Sequence, residues 1–547
     1  MRLFIFLSLL FLSTCKPSKQ PPSTQWQRYD QSGEIDASST HESGRMQFKL
    51  IQSKFLDKGI LFDKINKQLV DFSQDDYDRL LPLILEKNML QLQESVRSRK
   101  MTYKQLAQWY LFRILKYESN KDSALHAIID INPKAVEQAQ QLDSKKGIHP
   151  IYGMPIMLKD NINTLDMPTT AGAHVLKDNQ TDDAFVVKQM KKRGAIILGK
   201  LNLSEWAYFL CSGCPLGYSA IGGQTLNPYG RKVFETGGSS AGSGVTAAAN
   251  YAAAAVGTET SGSILSPSSQ NSIVGMKPTV GKLSRSGIVP ISSTLDTPGP
   301  MTKNVIDNAI LLSAMMGKDM SDSYSIKANQ NQVDLSALKI GGLNGKRIGA
   351  FKYLMEGDSI YNLTIQKLKE YGTVVVEIEQ TEVELKGFLT LLNIDMKNDL
   401  AVYLEKYAEK NIDVRTIDDV MDYNLKDTSG HIPYGQKLFE GISNDTTSTE
   451  EFEKIKSDLM RNGRKYFEDQ MQMHNLDGVV SINNYHAGYA AVAQYPCIAV
   501  PMGYKVSGEP VSLTFIARPF EEEQLLMWAF DFEQNSKVRK MPKGYGG

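Results

Sequence analysis

The chain carries GGSSAGSG at Gly237–Gly244 and, after a run of small residues, GTETSGSILSP at Gly257–Pro267. Far upstream, a single lysine, Lys159, stands inside the apolar stretch GMPIMLKDNI at Gly153–Ile162. Glycine-rich loops let backbone N–H groups approach a substrate closely. Serines together with a buried lysine supply a nucleophile and its base. These stretches therefore indicate nucleophilic catalysis that does not use histidine.

Cleavage of an amide needs an activated nucleophile, donors for the developing oxyanion, and an acid for the leaving nitrogen. The predicted oxyanion donors are the backbone N–H groups of Thr260, Ser261, Gly262 and Ser263. Lys159 must be neutral to act as a base, and burial lowers the pKa of a lysine because it disfavours the charged form. Asp160, which follows the lysine, is interpreted as a structural hydrogen-bonding residue.

Short apolar runs flanked by glycine alternate with helix-like segments along the chain, which is typical of α/β architecture. The small-residue stretch Ala241–Ala255 predicts a helix that packs closely against a sheet. Since no internal repeat is evident, we expect a single large α/β domain with a mixed central β-sheet flanked by helices. Other predicted helices lie within Phe48–Leu142, Ala184–Lys192, Phe388–Gln472 and Leu525–Gln534, and predicted strands at Arg347–Phe351, Thr373–Ile378, Ile498–Val500 and Val511–Phe515.

These motifs closely resemble the amidase signature family of serine hydrolases, and the resemblance covers about residues 75–535. The lysine stretch and both serine loops stand in the order found in that family. Other matching stretches are GKLNLSEWA (Gly199–Ala207), GGQTLNPY (Gly222–Tyr229), VGMKPTVG (Val274–Gly281) and DTPGPMTK (Asp296–Lys303).

The resemblance implies a role for each candidate residue. Ser263 corresponds to the acylated nucleophile, Ser239 to the bridging serine, and Lys159 to the base. A cis peptide bond is implied between Gly238 and Ser239. The resemblance implies neither a metal nor a cofactor, and the 7 histidines are scattered without a zinc-binding HExxH pattern.

Two departures from the family pattern bear on the substrate. Ser261 replaces the first glycine of the common Gly-Gly-Ser-Ile-Arg sequence, and Leu265 replaces its arginine. The chain therefore looks more similar to the peptide-amidase branch than to glutamyl-tRNA amidotransferase A subunits. The expected reaction is hydrolysis of carboxylic or peptide C-terminal amides to an acid plus ammonia or an amine. We expect residues 388–472 and 211–218 to determine which small amide or peptide amide binds.

Three alternatives remain open on the sequence alone. Gly238–Gly242 fits the GxSxG nucleophile elbow of α/β-hydrolases, which would make Ser240 the nucleophile. That motif needs a strand directly before it, and Arg231–Thr236 is a poor strand sequence. The chain could instead be a glutamyl-tRNA amidotransferase A-type subunit, or a non-catalytic surface lipoprotein that binds amides or peptides.

The N-terminus differs in character from the rest of the chain. Residues 1–15 combine an early arginine with an apolar run and LSTC, which predicts a lipoprotein-type signal peptide with Cys15 as the lipid anchor. Residues 16–45 are polar and predict a flexible tether, followed by the catalytic domain at 46–547. We therefore expect export and lipid anchoring to a bacterial membrane, on the periplasmic or cell-surface side.

Charge composition and cysteine spacing bear on the possible partners and on disulfide bonding. Lys+Arg 61 balances Asp+Glu 61, and no basic run is interleaved with aromatic residues, so we expect no nucleic-acid partner. Cys211 and Cys214 form a CxxC without a second pair, which leaves a disulfide between them open. The oligomeric state is equally open.

Overall fold

The computed structural model describes residues 26–327 and 333–546 of the chain. Within them, the β-strands are β1 (Ile128–Ile131), β2 (Pro155–Lys159), β3 (Ile196–Leu201), β4 (Tyr218–Ser219), β5 (Gly223–Gln224), β6 (Ala254–Glu259), β7 (Val274–Lys277), β8 (Thr297–Thr302), β9 (Arg347–Phe351), β10 (Val374–Ile378), β11 (Gly478–Ile482), β12 (Cys497–Tyr504) and β13 (Pro510–Ile516).

The α-helices of the same residues are α1 (Ser32–Ser38), α2 (Lys58–Asn66), α3 (Gln74–Ile84), α4 (Met89–Arg97), α5 (Tyr103–Glu118), α6 (Ala135–Asp143), α7 (Phe185–Lys192), α8 (Ala241–Ala248), α9 (Leu265–Gln270), α10 (Val305–Met315), α11 (Ser323–Lys327), α12 (Lys352–Gly357), α13 (Ser359–Glu370), α14 (Phe388–Lys406), α15 (Ile417–Asn424), α16 (Thr428–His431), α17 (Lys437–Asn444), α18 (Thr449–Met473), α19 (Ala487–Ala493) and α20 (Glu522–Ser536). Short 3₁₀-helices cover Gly44–Met46, His174–Leu176, Glu205–Tyr208, Leu335–Ala337 and Leu425–Asp427. No helix in this part of the chain combines the length and the apolar character of a membrane span.

Eleven of the described strands form one mixed sheet, in the order β1-β3-β2-β6-β8-β7-β12-β13-β11-β9-β10. Neighbours are parallel at β3-β2-β6 and at β11-β9-β10, and the other pairs are antiparallel. Helices α8, α9, α10 and α20 contact the central strands. The predicted fold class, an α/β domain with a mixed sheet flanked by helices, is confirmed.

Strands β2 and β6 bring the stretch that contains Lys159 next to the stretch that contains Ser263. Both are completely buried, and they pair in parallel with Ile156 opposite Ala254 and Leu158 opposite Val256. Because parallel strands end at the same edge of a sheet, the chain leaves β2 and β6 side by side. Lys159 ends β2, and the loop with Ser263 follows β6.

Helix α8 packs closely on these strands because it is made of small residues, all of them buried. A Cβ added at Gly242 would lie 2.5 Å from the carbonyl oxygen of Asn202 and 2.8 Å from that of Ala127. Only glycine allows this approach of the helix to the sheet. The predicted close packing of a small-residue helix is therefore confirmed.

The predicted extent of that helix is wrong. Instead of reaching Ala255, α8 ends at Ala248, and Asn250 adopts a left-handed conformation with φ of 57°. Residues 254–259 form β6 between β2 and β8. Alanine favours a helix, but pairing with two neighbouring strands overrides this local preference.

Residues 26–45, the described part of the predicted tether, pack against the domain. They include α1, and the Gln31 side-chain oxygen accepts the N–H groups of Ile51 and Gln52 at 3.1 and 2.8 Å. Polar composition suggested a free segment, but polar side chains attach it by hydrogen bonds. The predicted signal peptide and Cys15 lie outside the described residues.

A buried ion pair lies directly beside the end of β2. Lys200 on β3 and Asp160 are both completely buried, with 3.0 Å between Lys200 Nζ and Asp160 Oδ1. Lys200 Nζ also donates to the Ile162 carbonyl at 2.6 Å, and Asp160 Oδ2 accepts from the backbone N–H and the hydroxyl of Thr170. Asp160 is thus a structural hydrogen-bonding residue, as interpreted from the sequence.

Replacing Lys200 with methionine should destabilise the fold, because it leaves the Asp160 carboxylate buried without its partner. We expect a loss of about 3–5 kcal/mol in the free energy of unfolding, measured from urea denaturation. The control is Lys454→Met, which removes a surface partner of Asp458 and should cost about 1 kcal/mol or less. Equal effects of the two variants would contradict the importance assigned to the buried pair.

Candidate active site

Lys159 is completely buried at the end of β2. Its Nζ lies 2.7 Å from Ser239 Oγ, 2.9 Å from Thr258 Oγ1 and 3.1 Å from the Thr258 carbonyl oxygen. The carbonyl can only accept, so one N–H of the lysine donates to it. A hydroxyl can also donate, so a neutral Lys159 is able to accept a proton from Ser239.

Burial lowers the pKa of Lys159 to about 7, against opposing effects from the carboxylates of Asp296 and Glu259. A pKa in this range leaves a substantial neutral fraction of the amine at neutral pH. The pKa of Lys159 therefore reflects a balance between desolvation, which lowers it, and two nearby negative charges, which raise it.

Ser239 lies in the loop before α8 and is completely buried. The peptide bond between Gly238 and Ser239 is cis, as the sequence resemblance implied. The Ser239 carbonyl accepts the N–H of Ser204 at 3.0 Å. A Cβ added at Gly238 would lie 2.7 Å from Ser204 Oγ. A side chain at position 238 would therefore crowd Ser204, which favours glycine next to Ser239.

Ser263 lies in the loop between β6 and α9 and is slightly exposed, at 9%. Its carbonyl accepts the N–H of Ser240 at 3.1 Å, which joins this loop to the one that carries Ser239. Gly262 has a φ of 89°, a conformation that favours glycine. Its carbonyl accepts the N–H of Ser266 at 2.8 Å, so the peptide planes of the loop are fixed.

Ser240 has a structural position in this arrangement. It is completely buried, and its Oγ donates to the Thr258 carbonyl at 3.0 Å and accepts the Thr258 N–H at 3.2 Å. The preceding residues, 231–236, form a turn followed by irregular chain. A nucleophile elbow needs a strand at that position. The geometry therefore does not support Ser240 as the nucleophile.

The structure adds residues that the motif analysis did not single out. Thr258 holds Lys159, and Glu259 Oε2 accepts the N–H groups of Ile264 and Leu265 at 2.7 and 2.9 Å. Asn484, just before α19, places its side-chain nitrogen 3.0 Å from where a Cβ on Gly262 would lie. Thr258 and Glu259 are polar residues at the end of an otherwise apolar strand. This pattern is visible in the sequence and could have identified them. No local pattern points to Asn484.

A cavity of about 220 Å³ adjoins the site and borders it through Thr258 and Thr260. Its wall is partly apolar and partly charged. Helix α14, in one of the segments expected to determine specificity, contributes Asp399, Val402 and Tyr403 to this wall. Thr260 thus connects this wall to the loop that carries Ser263.

The other segment expected to determine specificity contains a disulfide between Cys211 and Cys214. Both residues line a second, smaller cavity together with Ser204. Since the Ser204 N–H donates to the Ser239 carbonyl, Ser204 connects this cavity to the loop that carries Ser239. The pairing of the two cysteines, which the sequence left open, is thus a disulfide.

The chain is similar in sequence to known amidases. A family model for amidases matches residues 106–433. A probable amidase from Arabidopsis thaliana is 36% identical over 485 residues, which cover 84% of this chain and 92% of the plant protein. A glutamyl-tRNA(Gln) amidotransferase A-type subunit from Thermoanaerobacter pseudethanolicus is 29% identical over 497 residues, or 84% of this chain and 98% of the relative.

Comparison with solved structures also finds amidases. An amidase family protein from Bacillus anthracis superposes with a TM-score of 0.85 at 36% identity, covering 90% of this chain and 99% of that one. The native peptide amidase from Stenotrophomonas maltophilia superposes with a TM-score of 0.79 at 33% identity, covering 84% and 98%. The fold is that of hydrolases acting on amides, and this chain belongs to the amidase signature family.

The burial of Lys159 predicts how reactivity depends on pH. Labelling of the protein by a fluorophosphonate should accelerate as pH rises through about 7 and level off above it. The reason is that only the neutral lysine accepts a proton, and the neutral form dominates above the pKa. Labelling rates measured from about pH 5 to 9 by mass spectrometry test this expectation.

The matched variant for this experiment is Lys159→Met, which keeps an unbranched side chain, one atom shorter, and removes the amine. Its labelling should be slow and should lack the step near neutral pH. A step that persists in this variant would assign the titration to another group.

Proposed function

We propose that the protein is an amidase that hydrolyses carboxylic or peptide C-terminal amides through a relay of Ser263, Ser239 and Lys159. The observation that carries this proposal is the 2.7 Å contact between the buried Lys159 Nζ and Ser239 Oγ. It pairs a base of lowered pKa with a hydroxyl that can both accept and donate a proton. Ser263, which is more exposed than Ser239, lies in the loop whose Thr260 lines the cavity.

In the proposed acylation step, neutral Lys159 accepts the Ser239 hydroxyl proton while Ser239 accepts the proton of Ser263. The Ser263 oxygen attacks the amide carbonyl carbon and forms a tetrahedral intermediate. When the C–N bond breaks, Ser239 gives a proton to the leaving nitrogen and regains one from Lys159. Ammonia or an amine leaves, and the acyl group stays on Ser263.

Deacylation uses the same relay in reverse order. Water loses a proton to Ser239, which passes its own to Lys159, and the resulting hydroxide attacks the ester carbon. The proton then returns through Ser239 to Ser263 as the carboxylic acid leaves. The relay thus ends each turnover in its starting protonation state, and water is the only molecule consumed besides the amide.

The oxyanion of both intermediates is proposed to lie on the backbone N–H groups of Thr260, Ser261, Gly262 and Ser263. Fixed backbone donors stabilise such a charge at little reorganisation cost. Support comes from the conformation of the loop. The carbonyls of Gly262 and Ser263 accept the N–H groups of Ser266 and Ser240, which fixes the orientation of the loop backbone.

The substrate proposed is a small amide or a peptide amide. Support comes from Ser261 and Leu265 at positions where the sequence departs from the common family pattern, and from the likeness to the Stenotrophomonas maltophilia peptide amidase. The alternative, an amidotransferase A-type subunit, is supported by relatives of that name. A non-catalytic binding protein is the third possibility, against which the contact between Lys159 and Ser239 argues.

We further propose that the protein is exported and anchored to a bacterial membrane through a lipid on Cys15. The N-terminal sequence pattern supports this proposal. The disulfide between Cys211 and Cys214 also supports it, because disulfides persist in oxidising compartments. Incorporation of a labelled fatty acid that is lost in Cys15→Ala would test the anchor.

Replacing Ser263 with alanine should abolish turnover of peptide amides, with a loss of about 10⁴-fold or more. Ammonia release from an N-acylated dipeptide amide measures this loss, and the fluorophosphonate adduct of the wild type should map to the peptide that contains Ser263. Ser240→Ala is the discriminating variant: it should retain the adduct on Ser263.

Each alternative predicts a different result. An adduct on Ser240 would support the α/β-hydrolase elbow, and substantial turnover by Ser263→Ala would refute the relay. A folded wild type that neither reacts with the probe nor hydrolyses amides would favour the binding protein.

A further inference from the structure

Asp296 binds the nucleophile loop from outside the family motif that carries the serines. Its Oδ1 accepts the Thr260 hydroxyl at 2.5 Å, and its Oδ2 accepts the N–H groups of Ile291 and Ser292 at 2.8 and 3.0 Å. One carboxylate therefore joins the loop that follows β6 to the segment that precedes β8. Asp296 also forms part of the wall of the 220 Å³ cavity.

Three consecutive residues that lead from β6 towards Ser263 are each held by a different partner. Thr258 contacts Lys159, Glu259 caps the start of α9, and Thr260 contacts Asp296. The antiparallel pairing of β6 with β8 sets Glu259 opposite Thr297. Because Asp296 directly precedes Thr297, the sheet register itself places the carboxylate beside Thr260.

The same carboxylate affects the charge state of the lysine. The charges that act on Lys159 come from Asp296 and, on β6, from Glu259, and both favour its protonated form. Glu259 already accepts hydrogen bonds from the N–H groups of Ile264 and Leu265. Burial raises the pKa of Asp296, and its hydrogen bond from Thr260 acts in the opposite direction. The charged groups on the same cavity wall are Arg285, which is paired with Asp322, Lys406, and Asp399, whose pKa burial raises to about 7.

We propose that Asp296 is a positioning residue for the relay: it anchors the nucleophile loop through Thr260, and its negative charge stabilises the protonated form of Lys159. This role rests on the proposed function described above. It has two separable parts, since the hydrogen bond to Thr260 acts on geometry and the charge acts on the proton affinity of the base.

The sign of the charge effect is definite. Removing a negative charge makes the protonated lysine less favourable, so the neutral base persists to lower pH. In Asp296→Asn, the acid limb of kcat/KM should therefore move down from about pH 7 by roughly half a unit or more. A purely structural role for Asp296 would lower the rate without moving that limb.

The test uses the full chain and an N-acylated dipeptide amide, which has no group that titrates between about pH 5 and 9. Ammonia release is measured across that range for the wild type, Asp296→Asn, Thr260→Val and Asp395→Asn. Thr260→Val removes the hydroxyl and leaves the carboxyl group in place, so kcat should fall about tenfold, while the acid limb moves less than in Asp296→Asn. Asp395→Asn is the matched control, because Asp395 binds Ser292 and Thr294 of the same segment without contacting Thr260; its acid limb should stay in place.

An acid limb of Asp296→Asn that coincides with that of the wild type overturns the role assigned to Asp296. If Asp296→Asn does not fold, judged by its thermal transition, Thr260→Val decides: a wild-type kcat in that variant overturns the proposal. Failure of the proposed relay can be distinguished from failure of the role assigned to Asp296. Turnover by Ser263→Ala overturns the relay and this role with it, whereas an inactive Ser263→Ala with an unshifted Asp296→Asn overturns only the role of Asp296.

Discussion

The site depends on the burial of one amine. Lys159 ends an entirely buried strand between β3 and β6, so water cannot solvate its ammonium form, and its pKa falls to about 7. A lysine at the surface, with a pKa of about 10.4, would be a poor base at neutral pH. The tight sheet, the small-residue helix α8 and the buried Asp160–Lys200 pair beside it all maintain this dry environment.

Much of the fold and the site was predictable because the relevant signals are local. The apolar run before Lys159 predicts a buried strand, and glycines around Ser239 and Ser263 predict loops that approach other chain segments closely. The structure brings Lys159 and Ser239 into contact and joins the Ser263 loop to them. The catalytic roles of these residues are predictions.

What the sequence did not predict depends on contacts between distant segments. Ala254 and Ala255 belong to a strand only because β2 and β8 lie on either side of them. Residues 26–45 lack an apolar pattern, yet hydrogen bonds such as those of Gln31 attach them to the domain. Asp296 contacts Thr260 through a sheet register that spans 36 residues of sequence separation. No local pattern encodes such partners.

The distances along the chain between the partners of Lys159 have a consequence for biogenesis. Ser239 follows the lysine by 80 residues and Thr258 by 99. Contacts of such sequence separation form slowly, because a long loop must close before they contribute any stability. The partners of Lys159 are in place only when β6 pairs with β2. The lowered pKa of this lysine is therefore a property of the completed sheet, and no single stretch of the chain produces it.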